Sequence, residues 1–162
     1  MLKLGIALIV ATAASGTLLS HRPLQNAAPA LGQQDVEAAI RAVHAQMQRA
    51  AERLDAAALY AHVLDTATPP IIENGRLADT WAAALARTAQ GLQGLTSLRY
   101  TYTRESITVL SPTAALWTGV GTSSATLADG RQIDAPFAET VVFVQRDGQW
   151  KVLHAHRSVP NR

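Results

Sequence analysis

The spacing of the apolar residues changes once along this chain, and that change fixes the order of its elements. Between Asp35 and Leu54, the residues Val36, Ile40, Val43, Met47, Ala50 and Leu54 recur at steps of four and three. That is the spacing of one helix face over about five turns. From Leu98 onward the step is two, with Leu98, Tyr100 and Tyr102 alternating with Arg99, Thr101 and Thr103. A strand with one buried face reads this way. Helices first and alternation afterwards predict an α+β layer fold in which helices cover one face of an antiparallel sheet.

Local signals divide the two halves further. Asp35 suits the N-cap of the long helix, which is expected to run to about Arg53. A second helix is expected from about Asp55, carrying Leu59, Val63 and Leu64, and Pro69-Pro70 stops it. Ile71-Ile72-Glu73 reads as a short extended piece ended by Asn74-Gly75. A third helix is expected from Asp79 as cap, with Trp81, Leu85 and Ala89 on one side, fraying at Gly91 and Gly94. After Leu98, three more strand-like runs are separated by Asp129-Gly130 and Asp147-Gly148, and Asp-Gly is a strong hairpin signal.

The chain has 162 residues, 48% of them hydrophobic and 16% charged, which is a globular composition with enough apolar material for one core. The formal charge is +2 and there is no basic run or stripe, so nucleic acid is not an expected partner. With no cysteine, disulfides, thiolate metal ligands and cysteine nucleophiles are excluded together.

Residues 1–16 read as an export signal. Lys3 supplies the positive start, Leu4 to Ala14 is small and apolar, and Ala11-Thr12-Ala13 or Ala14-Ser15-Gly16 offers the small residues a signal peptidase reads. Export to the periplasm or medium is therefore expected, the alternative being an uncleaved anchor; after cleavage no membrane span remains. Residues 17–34, with Pro23, Pro29, Asn26 and Gly32, read as a disordered linker, and residues 35–162 as the folded domain.

The Asp147-Gly148 hairpin carries the functional reading. A two-residue turn there sets Gln145 against Trp150, Phe143 against Val152, Val141 against His154 and Glu139 against His156. One face then holds Phe137, Glu139, Val141, Phe143, Trp150, Val152, His154 and His156. The other holds Val142, Val144, Leu153 and Ala155. A two-residue turn at Asp129-Gly130 adds Thr118, Val120 and Thr122 to the first face and extends the second with the strand that carries Trp117.

Three ionisable groups at one end of an apolar face need an explanation, because a buried charge without a partner is costly. Glu139 and His156 could satisfy each other as a structural pair. They could line a small-molecule pocket with Tyr100, Thr118, Val120, Phe137, Val141, Trp150 and His154. In an enzyme, His156 would be the acid or base and Glu139 its orienting partner, with His154 as a further candidate. A metal site built from His154, Glu139 and His156 is the remaining reading, since two imidazoles on alternate strand positions lie ~6.5 Å apart. His44 and His62 fall at polar or mixed helix positions and read as surface residues. No cofactor motif, nucleophile elbow or phosphate loop is present, so no cofactor is expected.

This order of elements, closing on Trp150-Lys151-Val152-Leu153-His154-Ala155-His156-Arg157-Ser158, resembles the nuclear transport factor 2-like superfamily. Within it the ending is similar to the SnoaL-like group and the calmodulin-dependent kinase association domain, which share a final Trp-x-x-x-His-x-His-x-Ser strand. The resemblance spans about Gln34 to Pro160. It implies a cone-shaped curved sheet wrapped around the long helix, and a homodimer through the outer sheet face. Apolar Val142, Val144, Leu153 and Ala155 suit such a face.

Family members include isomerases, cyclases, dehydratases, binding modules and assembly domains. Glu73 sits roughly where a ketosteroid isomerase-like base would fall. The family's first-helix tyrosine has no counterpart, however, and Thr118, Val120 and Thr122 offer no acid for the oxyanion role. Glu73 alone reads as a turn-adjacent surface residue. The expected function is therefore binding of a small hydrophobic or acidic molecule, with His-Glu catalysis or a purely structural homodimer as alternatives.

Overall fold

The computed structural model describes residues 32–66 and 70–160. The proposed signal and almost all of the proposed linker lie outside the described residues. Three helices precede the long strands: α1 Gln33–Glu52, α2 Ala56–Tyr60 and α3 Trp81–Leu92. Six strands, β1 Ile71–Glu73, β2 Arg76–Ala78, β3 Leu95–Ser111, β4 Ala114–Leu127, β5 Gln132–Arg146 and β6 Gln149–Ser158, form one sheet in the order β2-β1-β6-β5-β4-β3. All neighbours are antiparallel except β1 and β6, which run parallel. The α+β cone read from the sequence is thus the observed architecture, with one short hairpin, β1–β2, turned at Asn74-Gly75 and added at its edge.

The stripe on α1 explains its position. Val36, Ile40 and Ala50 are fully or almost fully buried, and the helix packs on β3, β4 and β6 across the concave face of the sheet. Asp35 is the third residue of the helix and not its cap: Gly32 precedes the first turn, and the Asp35 carboxylate accepts its N–H at 3.2 Å. Asp55 caps α2 as expected, accepting from Ala58 N–H at 2.9 Å. That helix is only one turn long, because Val63 leaves it to bridge to Val152 of β6. Thr80, one residue after the expected Asp79, caps α3.

The core is continuous from α1 to the sheet. Trp117, Phe143, Val141 and Val152 are buried to within 2% of complete, and Trp81, Leu85, Ile107 and Val109 pack around them. Trp117 therefore belongs to the inner face, not to the outer face assigned to it from the sequence. Ala155, at 8% exposure, has moved with it.

Candidate functional site

Two local irregularities decide which side chains face the interior. Asp147 and Gly148 both have positive φ, 51° and 74°, so the β5–β6 hairpin turns as a two-residue type I′ loop. The expected pairs Gln145 with Trp150 and Phe143 with Val152 follow. One residue later the register slips: Val142 pairs with His154, Val141 with Ala155, Thr140 with His156 and Glu139 with Arg157. Leu153 is the extra residue of a β-bulge, and every side chain beyond it changes face.

The β4–β5 hairpin slips for a different reason. Leu127 N–H donates to the Arg131 carbonyl and Gly130 N–H to the Leu127 carbonyl, which makes Ala128, Asp129 and Gly130 a three-residue loop. Gly130, at φ 85°, supplies the left-handed residue such a loop ends on. Asp129 holds the turn by accepting from the Arg131 N–H at 3.0 Å and its Nε at 2.7 Å. Trp117 consequently faces Val141, Gly119 faces Glu139 and Gly121 faces Phe137.

The residues named from the sequence therefore separate. Glu139, Val141, Phe137, Tyr100 and Trp150 are on the inner side. His154, His156, Thr118 and Val120 are on the outer side, with the sheet between them and Glu139. The His156–Glu139 pair and the His154–Glu139–His156 metal site are excluded by this geometry, and no group of three metal-ligating side chains occurs among the described residues. Trp150 is buried but lines neither the cavity nor the recess described below, and its indole N–H lacks a partner among the described residues.

Inside the cone, β1, β6 and β5 bring Glu73, Arg157 and Glu139 into one row, since Arg157 is the register partner of both carboxylates. All three border a cavity of about 320 Å³ whose other walls are largely apolar, including Met47, Leu59, Val63, Ile71, Leu92, Leu98, Val141 and Val152. A recess of about 80 Å³ shares Tyr100, Glu139, Val141 and Arg157 with it and reaches His44, Gln48 and Tyr102. Glu73 is thus a cavity residue, not a surface one.

Arg157 is held from two sides. Its Nη1 donates to Tyr100 Oη at 3.0 Å, and its guanidinium carbon lies 4.1 Å from the Phe137 ring centre and 4.7 Å from that of Tyr100. Tyr100 is fixed by α1 in turn: Glu52 Oε1 accepts its N–H at 3.0 Å, and Gln48 Nε2 donates to its carbonyl at 3.3 Å. These two side chains occupy the backbone groups that β3, as an edge strand, leaves without a partner strand at this point.

Glu139 has no such support. Its carboxylate enters no ion pair within 4 Å; among the described residues Asp129–Arg131 is such a pair, and His44 Nδ1 lies 3.9 Å from Glu105 Oε1. Burial pushes its carboxyl above the usual carboxylate range, and nearby Arg157 only partly opposes this, while Glu73 adds to it. Burial works against the Arg157 charge, but Tyr100 and Glu139 outweigh it and the guanidinium is held more firmly protonated.

His44, read as a surface residue, is 7% exposed and lies in the wall of the recess. Its ring stacks on Trp117 at 3.9 Å between centroids, and its Nε2 is 3.4 Å from Tyr102 Oη. Burial lowers its pKa to about 4, so the ring is neutral at pH 7. Burial also raises the hydroxyl pKa values of Tyr100 and Tyr102. The signal that could have found His44 was the step of four from Ile40, which extends the apolar stripe of α1 through a residue usually counted as polar.

A family model for the SnoaL-like domain matches residues 40–162. The chain belongs to the SnoaL-like domain family. Solved structures agree on the fold of this SnoaL-like protein. A nuclear transport factor 2-like superfamily protein from Salmonella enterica serovar Typhimurium is 14% identical with a TM-score of 0.71, over 81% of this chain and 95% of that one. A ketosteroid isomerase-like protein from Erwinia carotovora is 18% identical with a TM-score of 0.64, over 77% and 96%. A protein of unknown function with this fold from Shewanella oneidensis is 21% identical with a TM-score of 0.59, over 76% and 98%. No curated protein matches the SnoaL-like chain.

Proposed function

We propose that this SnoaL-like domain binds a small, mainly apolar molecule in the 320 Å³ cavity, with one polar atom of that molecule met by Glu139, Arg157 and Tyr100. The observation that carries this reading is the Glu139 carboxyl, unpaired and raised in pKa at the edge of an apolar cavity. An ionisable group in such a place is costly to the empty fold and useful to a ligand. Tyr100 takes one of the five Arg157 N–H donors, which leaves the others for a ligand in the cavity that Arg157 lines.

The test is a thermal-shift screen of hydrophobic, carbonyl-bearing and acidic small molecules. Compounds that fill the cavity stabilise the wild type and not Glu139→Gln. A screen in which nothing shifts the wild type overturns the reading.

The raised Glu139 carboxyl also supports a second reading, acid–base catalysis of the isomerase or dehydratase kind. Deuterium exchange at the carbon next to the carbonyl of a stabilising ketone, followed by NMR and absent in Glu139→Gln, would support it. Exchange at the same rate in both proteins would exclude it.

Two further proposals concern the whole chain. Leu116, Val142, Val144 and Leu153 give the outer sheet face an apolar half, which suits a homodimer. Sedimentation of the wild type as a monomer at tens of micromolar would refute that. Among the described residues no helix is long and apolar enough to cross a membrane. Residues 1–16 are proposed to be removed on export, so mass spectrometry of protein from its host should find an N-terminus near Ala14 or Thr17.

A further inference from the structure

The other half of the outer face is polar, and strand register sorts it. Ser106, Thr118, Thr140 and His156 are mutual register partners and form one row across β3, β4, β5 and β6. Arg104, Val120, Ala138 and Ser158 form the adjacent row. Together the two rows line a groove of about 210 Å³. Glu105 and Glu139 border it only from strand positions whose side chains point inward, towards His44 and the cavity respectively.

Arg104, His156 and the four hydroxyls therefore face the groove from the outer side, with Glu105 and Glu139 at its border. Arg104 enters no ion pair within 4 Å among the described residues. None of the hydroxyls of Ser106, Thr118, Thr140 and Ser158 bonds to another described residue. Adjacent strands lie ~4.8 Å apart, so the long Arg104 and His156 side chains, one strand out on either side, can reach an anion seated on the central Thr118 and Thr140 hydroxyls. A guanidinium fork with hydroxyl and imidazole N–H donors matches the oxygens of such an anion.

We infer that this groove binds a tetrahedral oxyanion, a phosphate or sulfate, either free or as the head of an ester. The site is on the opposite side of the sheet from the cavity, so it stands or falls independently of the pocket reading. It is also separate from the apolar half of the face, where Leu116, Val142, Val144 and Leu153 lie.

The experiment is an NMR titration of the full chain with sodium phosphate, against sodium chloride at equal ionic strength. A parallel titration uses glycerol 3-phosphate. Saturable shifts of the Thr118, Thr140 and His156 amides are expected with phosphate and absent with chloride. Arg104→Gln, a change at an exposed position, should raise the half-saturating concentration roughly tenfold, the loss expected for a charge-assisted bond. Thr140→Val should raise it by a smaller factor. Tighter binding of glycerol 3-phosphate than of phosphate identifies an ester head as the ligand, and the reverse identifies the free anion. Shifts that match the chloride control, or a half-saturation unchanged in Arg104→Gln, overturn the inference.

Discussion

Arg157 sits directly across from Glu139 on neighbouring strands, donates to Tyr100 Oη at 3.0 Å and lies 4.1 Å from the Phe137 ring centre. The arrangement places a fixed cation beside an unpaired carboxyl in the wall of an apolar cavity. Tyr100 and Phe137 hold the guanidinium by one hydrogen bond and two ring faces and leave most of its N–H donors free. A ligand arriving in the cavity meets both groups already positioned, which lowers the ordering cost of binding.

The neighbouring residues His156 and Arg157 should therefore behave oppositely. Arg157→Gln removes the fork and should weaken any cavity ligand tenfold or more, as expected for a lost charge-assisted bond. His156→Gln, on the outer face, should leave the same thermal shift unchanged. A ligand response lost in His156→Gln and kept in Arg157→Gln would show that the inner and outer faces have been assigned the wrong way round.

The reason these two residues exchange roles is also the measure of what the sequence could reveal. The order of elements, the α1 stripe and both Asp-Gly turns were legible, because spacing and turn chemistry are local. Which face Glu139 shared with which partner was not, because it depends on one extra residue, Leu153, in a strand whose pattern stays apolar on both sides of the bulge. Val152, Leu153 and Ala155 read equally well in either register. The Asp129-Gly130 loop is ambiguous in sequence for a related reason: Gly130 serves a two-residue and a three-residue loop alike, and only the bonds from Leu127 and Gly130 distinguish them. Those two single-residue shifts moved His154, His156, Thr118 and Val120 to the outer face, brought Arg157 into the pocket and put Trp117 in the core.

Glu139 should make the empty protein less stable as pH rises. Its folded-state pKa is above the unfolded value, so the native state holds the proton more tightly between the two. Its contribution is then greatest at acid pH and falls as pH rises through the folded pKa. Glu139→Gln removes that dependence, and its stability relative to wild type should grow from pH 4 to pH 8 in urea unfolding. A constant difference across that range would mean that the carboxyl is not perturbed.

Gly119 and Gly121 test the inner face of β4. A Cβ on Gly119 would come within 2.3 Å of the Trp117 ring, and one on Gly121 within 2.3 Å of the Thr101 carbonyl oxygen. An indole can tilt, whereas the β3 backbone can yield only by loosening the ladder. Gly119→Ala should cost about 1–3 kcal/mol and Gly121→Ala at least as much. Equal stability of Gly121→Ala and wild type in urea would show that β3 and β4 do not approach this closely.

His44 supplies the opposite pH dependence, and the two can be separated. Its pKa falls from 6.5 to about 4 on folding, because burial between α1 and Trp117 disfavours the charged ring. The groups facing it are Tyr102 at Nε2 and Glu105, 3.9 Å from Nδ1. A base with a lowered folded pKa binds fewer protons in the native state than in the unfolded chain. Its contribution is therefore fully present above pH 6.5, falls as the pH drops towards 4, and levels off below. The interval corresponds to on the order of 3 kcal/mol. His44→Phe keeps a ring for Trp117 to stack on, gives up the bond to Tyr102, and cannot be protonated. It should be less stable than wild type at pH 7, and the gap should narrow or reverse by pH 4.5. A gap that stays the same from pH 7 to pH 4.5 would place the His44 ring in contact with solvent and remove it from the recess wall.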